Sequence, residues 1–228
     1  KLSTVLISAG EASGDIYGAE LTRELKKSGH RVIAFGGPEM AKAGAEVMIE
    51  LTKFAVVGFV EVMAKLPGIL ASFNAAKKII MNQKPDILVV IDYPGFNLKL
   101  IKEARKLGVK RTIYFITPQV WAWKYKRIFK IKKYCDLVIN VLPFEKKIFE
   151  DAGIKARYFG HPLTFILDKI TEKNKEIKQR ENLVGIFPGS RESEIKIFFQ
   201  DVLDSCDELN SLVPNVKFLV FRAQGVSR

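Results

Sequence analysis

Short apolar runs closed by glycine-bearing polar turns alternate along this chain with longer stretches of helical period. The first run, Val5–Ile7, reads as a buried strand that breaks at Gly10. After the turn Gly10-Glu-Ala-Ser-Gly-Asp15 comes an amphipathic helix with Ile16, Ala19, Leu21 and Leu25 facing inward. Arg31–Phe35 is the next strand, Gly36-Gly37-Pro38 turns into a short helix, and Glu46–Leu51 reads as a further short strand. From Phe54 to Ala76 apolar residues surround the helix more fully than one buried stripe requires. Ile87–Ile91 is a continuous apolar run, as expected of a parallel strand buried on both faces, and Phe96 to about Leu107 is its helix. Arg111–Ile116, Asp136–Leu142 and Ala156–Phe159 complete the strands, with helices over Lys124–Lys133 and from Pro143 to Phe149. Alternation of this kind predicts an α/β fold built on a Rossmann-like parallel sheet.

From Thr164 the strand period is lost and charge rises, as in Glu172-Lys-Asn-Lys-Glu-Ile-Lys-Gln-Arg-Glu181. The expected organisation is therefore a first domain over 1–163, a crossing segment over 164–182, and the start of a second Rossmann-like domain over 183–228. That second part reads as a strand Leu183–Phe187, a turn Pro188-Gly-Ser-Arg191, a helix Glu192–Leu212 and a strand Val216–Phe221. Two parallel strands alone cannot cover both their faces, so this part is expected to need more protein around it.

Composition narrows the class. In 228 residues, 48% hydrophobic content supports a substantial core. Cys135 and Cys206 are far apart and form no Cys-x-x-Cys, and His30 and His161 are too few for a convincing cluster, so no disulfide framework and no metal site is expected. No cleavable signal pattern is evident, and Glu61, Lys65, Pro67 and Asn74 interrupt the most apolar window, so no spanning helix is expected. A net charge of +12 implies anionic partners without choosing among nucleic acid, anionic lipid and phosphorylated metabolites, and no nucleic-acid signature accompanies it.

Candidate chemistry sits where strands end, because ligands of open parallel sheets bind at the strands' carboxyl edge. Glu11, Ser13 and Asp15 stand in the first such turn, which matches neither a P-loop nor Gly-x-Gly-x-x-Gly. Its three acceptor side chains suit sugar hydroxyls, with helix capping by Ser13 or Asp15 the competing reading. Asp92 closes the most apolar strand, where a carboxylate can take a proton from an attacking hydroxyl or serve as a cap. Trp121 and Trp123 precede the basic stretch Lys124–Lys133, which suits an anionic lipid surface, an acidic substrate or a solvated face. Phe59, Met63, Leu66, Ile69, Leu70 and Phe73 either pack on the sheet or receive acyl chains or membrane. His161 ends a strand and suits a ligand contact or a structural hydrogen bond, while Gly189 and Ser190 beside Arg191 suit a phosphate at a helix start.

Seven stretches then occur in one order: Gly10-Glu-Ala-Ser-Gly-Asp15, Val57-Gly-Phe-Val-Glu-Val-Met63, Ile91-Asp-Tyr-Pro-Gly-Phe-Asn97, Pro118-Gln-Val-Trp-Ala-Trp123, Leu142-Pro-Phe-Glu145, Gly160-His-Pro162 and Pro188-Gly-Ser-Arg191. As an ordered set they resemble the N-terminal portion of the lipid-A-disaccharide synthase family. The resemblance implies an inverting GT-B glycosyltransferase that uses neither metal nor other cofactor. Its implied reaction joins UDP-2,3-diacylglucosamine to 2,3-diacylglucosamine 1-phosphate, giving the β-1′,6-linked disaccharide phosphate and UDP for lipid A. The implied setting is cytoplasmic and peripheral, on the anionic inner-membrane surface, with a homodimer of the full-length protein as a further expectation and no nucleic-acid partner. Asp92 matches the family's essential aspartate and becomes the candidate general base on the acceptor 6-hydroxyl. Arg191, with Gly189 and Ser190, is assigned to the donor diphosphate, and Glu11, Ser13, Gly14, Asp15, Asn97, Trp121 and His161 to substrate. Gly95 stands where the family usually carries a second aspartate.

The resemblance also implies that the family continues beyond residue 228 and that this chain alone is inactive. Two rivals keep their place at this point. One is another UDP-N-acetylglucosamine-using GT-B enzyme or epimerase, and the other is a non-catalytic module binding anionic lipid or nucleic acid.

Overall fold

The computed structural model describes residues 2–54, 59–173, 182–189 and 192–222, and for 59–65, 172–173 and 192–194 the backbone alone. The chain forms two compact units, Lys1–Lys169 and Ile170–Arg228.

Seven strands build the sheet of the first unit: β1 (Thr4–Ala9), β2 (Arg31–Gly36), β3 (Glu46–Glu50), β4 (Ile87–Ile91), β5 (Arg111–Phe115), β6 (Leu137–Asn140) and β7 (Ala156–Tyr158). Every neighbouring pair is parallel, in the order β3-β2-β1-β4-β5-β6-β7. Strand order reverses between β1 and β4, which pair in register from Val5 opposite Ile87 to Ala9 opposite Ile91. A crevice therefore opens beyond Ala9 and Ile91, the position where doubly wound sheets take ligands.

Alternation along each strand separates two cores. On one face Leu6, Ile33, Phe35, Leu88, Val90, Tyr114 and Val138 pack under α3 (Phe59–Gln83), α4 (Pro94–Lys106), α5 (Arg127–Tyr134) and α6 (Pro143–Asp151). On the other, Val5, Ile7, Val32, Ala34, Val89 and Ile91 pack under α1 (Ala12–Lys27) and α2 (Pro38–Lys42). Beside α1, Val89, Ile113, Phe115 and Ile139 of that second face border an apolar cavity of about 370 Å³. Its rim is Phe159 to Phe165, which includes the start of α7 (Pro162–Lys173).

Several boundaries differ from those read in the sequence. Helix α1 starts at Ala12, inside the expected turn, so its sheet-facing stripe is Gly14, Gly18, Ala19 and Thr22, and Ile16 is exposed. Helix α5 starts at Arg127 because Lys124 is left-handed, φ 54°. Residues 164–173 of the expected crossing segment are helix, continuous with Pro162 and Leu163.

In the second unit β8 (Leu183–Ile186) and β9 (Lys217–Val220) pair in parallel, connected through α8 (Glu192–Leu212). Phe187 and Phe221, just past the two strand ends, stack with ring centroids 4.5 Å apart. Among the described residues no helix is long and apolar enough to cross a membrane.

Candidate functional site

The crevice is made by two strand-to-helix turns. At the end of β4, Asp92 and Tyr93 are both left-handed, with φ of 42° and 44°. Non-glycine residues hold that conformation only where surrounding contacts impose it. Those contacts are specific. The Asp92 carbonyl accepts the Asn97 amide at 2.8 Å and the Tyr114 hydroxyl at 2.9 Å. The Asp92 N–H reaches the Phe115 and Ile116 carbonyls at 3.3 and 3.2 Å. Pro94 then opens α4 at a position that needs no N–H donor. The Tyr93 ring lies over the end of β1, where a Cβ on Gly10 would meet it at 2.1 Å. Gly10 thus lets the two turns close on each other.

Backbone geometry aside, the Asp92 carboxyl is half-buried and its pKa is raised. Burial is the main cause and the negative charge of Glu11 adds to it, while the Tyr93 N–H and the Arg127 guanidinium oppose the shift. The carboxylate is thus costly to ionise and gains from a proton donor brought to it. Arg127, at the first turn of α5, is a cation facing this carboxyl that sequence reasoning placed only within a basic stretch. It also lies 5.0 Å from the Trp123 ring centroid.

The β1 turn is arranged differently. Glu11 is the helix N-cap residue and is partly exposed, and Ser13 is exposed. Asp15, expected to line the cleft, is only 2% exposed. Its carboxylate accepts the backbone N–H groups of Gly37 at 2.8 Å, Glu39 at 2.8 Å and Met40 at 3.3 Å. It caps α2, not its own helix and not a substrate. A Cβ on Gly37 would lie 2.5 Å from this carboxylate, which explains the glycine. Gly14 is buried against Ala9 and Ile91, so its role is close helix–strand packing.

Asn97, also expected at substrate, is fully buried. Its oxygen accepts the Ser8 hydroxyl at 2.8 Å, and its amide donates to the carbonyls of Ile91 and Asp92 at 3.1 and 2.8 Å. It holds the ends of β1 and β4 together and thereby positions Asp92. The physical reason is saturation: a buried amide with such partners has little left to offer a ligand. No local signal marks Ser8 or Tyr114, because their partners lie far away in sequence.

Trp121 donates its indole N–H to the buried Glu145 at 3.1 Å and stands edge-on to Phe144, leaving its half-exposed ring as its free surface. Glu145 also accepts the Leu142 N–H at 3.2 Å in the capping box of α6. His161 accepts the Leu163 N–H at Nδ1, 3.1 Å, packs edge-on to Tyr17 and borders the apolar cavity. Of the apolar window, Leu66 and Leu70 are exposed, whereas Ile69 and Phe73 pack partly on the core. The side chains of Phe59 and Met63 lie outside the described residues, as do Ser190 and Arg191. Gly189 is left-handed, φ 109°, shortly before α8 begins. Among the described residues no three His, Cys, Asp or Glu side chains converge to hold a metal ion. Burial pushes the Cys135 thiol up to about 12, which leaves it unreactive at neutral pH.

Comparison with known proteins agrees with this architecture. The fold matches a Staphylococcus aureus MnaA–UDP co-structure with a TM-score of 0.67 at 11% identity, over 98% of this chain and 63% of that one. It also matches a Neisseria meningitidis UDP-GlcNAc 2-epimerase bound to UDP-GlcNAc with a TM-score of 0.63 at 13% identity, over 97% and 66%. At such identities the likeness is one of fold, the GT-B class with its Rossmann-like units. Sequence relatives are nearer. The chain is 40% identical over 230 residues to the lipid-A-disaccharide synthase of Trichlorobacter lovleyi, covering 98% of this chain and 60% of that protein. It is 38% identical to that of Geobacter sulfurreducens, covering 95% and 58%. The chain therefore spans about three-fifths of the length of these relatives. With residues 5–226 matching the lipid-A-disaccharide synthetase family as well, the chain belongs to that family.

Proposed function

We propose that this chain supplies the acceptor-side domain, and part of the donor-side domain, of a glycosyltransferase of lipid A biosynthesis. The reaction joins UDP-2,3-diacylglucosamine to 2,3-diacylglucosamine 1-phosphate. Asp92 is the general base. It takes the proton of the acceptor 6-hydroxyl as that oxygen attacks the donor's anomeric carbon, and the carbon–oxygen bond to UDP breaks with inversion.

The observation that carries this reading is the contrast in use of carboxylates at the switch point. Asp92 stands at the end of β4 with a raised pKa and a backbone fixed by Asn97 and Tyr114. Strand-end geometry of this kind presents a base to a ligand in the crevice. Arg127 faces the same carboxyl and suits a phosphate-bearing substrate. Glu11 and Ser13 remain at the cleft edge for sugar hydroxyls, and the exposed Trp121 ring suits a sugar face. Gly189, Ser190 and Arg191 are assigned to the donor diphosphate. Leu66 and Leu70 are assigned to acyl chains or to the anionic inner-membrane surface, where a peripheral enzyme meets its lipid substrates.

Disaccharide formation by the full-length enzyme from the two acylated sugars tests the reaction, and absence of product would overturn it. The 228-residue chain alone is expected to bind 2,3-diacylglucosamine 1-phosphate in an acyl-dependent way without turning it over. Efficient product formation by this chain would refute the division of labour.

A further inference from the structure

Helices α4 and α5 leave a cleft of about 440 Å³ between them. Lys99 and Lys102 face it from α4, and Lys130 and Lys133 from α5. Each pair is spaced three residues apart, which puts both side chains of a helix on one side. Glu103 is the single acid in the lining, and its carboxylate is held by Lys106 at 2.9 Å. Among the described residues no ion pair engages any of the four cleft lysines. Four like charges gathered around one gap repel one another until an anion enters it.

The rest of the cleft shows what kind of anion. Phe73 of α3 and Phe129 of α5 line it, and Phe129 is 63% exposed. Tyr125 stands edge-on to Phe129 and is exposed too, and Trp123 carries Lys124 and Arg127 against its ring. A freely soluble phosphate needs none of this apolar surface. Exposed aromatic rings interleaved with lysines are what a bilayer's polar–apolar boundary accommodates.

We propose that the α4–α5 cleft binds the phosphate headgroup of an anionic phospholipid, seating this face of the first unit on a bilayer with Phe129 and Tyr125 at the acyl boundary. The proposal rests on the peripheral placement above and adds a headgroup site separate from Leu66 and Leu70.

Co-sedimentation of the chain with phosphatidylcholine vesicles, with and without phosphatidylglycerol, tests it. The chain binds vesicles containing phosphatidylglycerol, and Lys99→Ser with Lys130→Ser weakens that binding roughly 30-fold, the loss of two headgroup contacts. Lys26→Ser with Lys42→Ser removes equal charge from α1 and α2, which pack on the other face of the sheet, and changes binding by about twofold at most. Equal losses from both pairs would mean diffuse attraction and overturn the cleft. Binding kept by the cleft pair but lost on Leu66→Ser with Leu70→Ser would overturn the cleft and leave the peripheral reading standing. No binding by the unaltered chain would remove both. A thermal shift of the chain with glycerol 3-phosphate that is abolished in the cleft pair, with vesicle binding unchanged in that pair, would assign the site to a soluble phosphate ester and overturn the lipid. Unchanged thermal unfolding of the variants, whose lysines are all exposed, shows that folding is not the cause.

Discussion

The turns after β1 and β4 start from the same sequence logic, an apolar strand followed by glycine, a carboxylate and a helix, and they end differently. After β1, residues 10–15 contain no positive φ, and the carboxylate of Asp15 is occupied by three backbone N–H groups of another element. After β4, two successive residues are left-handed, and the carboxylate they present has its pKa raised by burial and by Glu11. One turn uses its acid to build the fold, and the other uses the fold to hold an acid in a costly state. A strand-end aspartate is therefore diagnostic only once its hydrogen-bond partners are known.

The largest expected effect comes from Asp92→Asn. Asparagine tolerates the left-handed backbone, so the substitution removes the proposed base and spares the turn. Turnover by the full-length enzyme falls about 10²–10⁴-fold, measured as disaccharide formation with acceptor binding retained. Stability moves the opposite way. The folded pKa of Asp92 lies above its unfolded value, so the fold binds the proton more tightly and loses stability as pH rises through the interval between them. At neutral pH the asparagine variant is more stable than the unaltered chain, and its advantage fades as pH falls to the ordinary carboxylate range. Asp136 has the reverse sign. Burial raises its pKa, but the Thr112 N–H and the Arg105 guanidinium outweigh that and hold it low. The stability it contributes is present above its unfolded pKa and is lost as pH falls through the lowered value. An asparagine variant that is less stable at neutral pH would mean that the Asp92 carboxylate is satisfied like that of Asp15.

Asp15→Ala sits on the other side of the comparison. It leaves the N–H groups of Gly37, Glu39 and Met40 without their acceptor, and unfolding by urea is expected to show a loss of about 3 kcal/mol. Asn97→Ala removes the acceptor of the Ser8 hydroxyl and one donor each from the carbonyls of Ile91 and Asp92, the latter keeping Tyr114, and costs a similar amount, about 2–3 kcal/mol. The two separate in activity per folded molecule. Asp15→Ala leaves kcat near its starting value, while Asn97→Ala lowers it, because of these two residues Asn97 alone bonds the Asp92 backbone. Equal kcat in both variants would break the distinction between the turns.

A smaller effect tests how the turns are joined. Gly10→Ala drives a methyl into the Tyr93 ring and is expected to cost about 1–3 kcal/mol. In the double variant with Tyr93→Ala most of that cost disappears, a coupling that a double-mutant cycle reads directly.

Much of this was legible in the chain because strands buried on both faces are apolar throughout. Ile87–Ile91 announces both its own burial and the edge where Asp92 stands. The rest depends on partners far apart in sequence. Asp15 meets Gly37 22 residues on, and Ser8 meets Asn97 89 residues on, so neither turn sequence says which acid is spent on structure. Ile16 is exposed because the stripe of α1 that meets the sheet runs through Gly14, Gly18 and Thr22, small residues that give no apolar signal. The lysine cleft exists only because α4 and α5 pack side by side; in sequence its two halves are unremarkable charged helix faces.

The smallest effect concerns Gly95, in the first turn of α4. A Cβ placed there meets nothing within 4 Å, and α4 has no acidic residue in its first turn. Gly95→Asp is therefore sterically free. It replaces a glycine inside a helix and puts a negative charge at the positive end of the helix dipole, a gain of about 0.5–1 kcal/mol in urea unfolding. The same charge stands three residues from Asp92, so it opposes ionisation there and raises that pKa further. In the full-length enzyme the acidic limb of the pH–rate profile then moves to higher pH, with kcat above that limb close to its starting value. A several-fold rise in kcat on Gly95→Asp would instead make the second carboxylate a participant in the reaction, and Asp92 would no longer stand alone as the turn's acting acid.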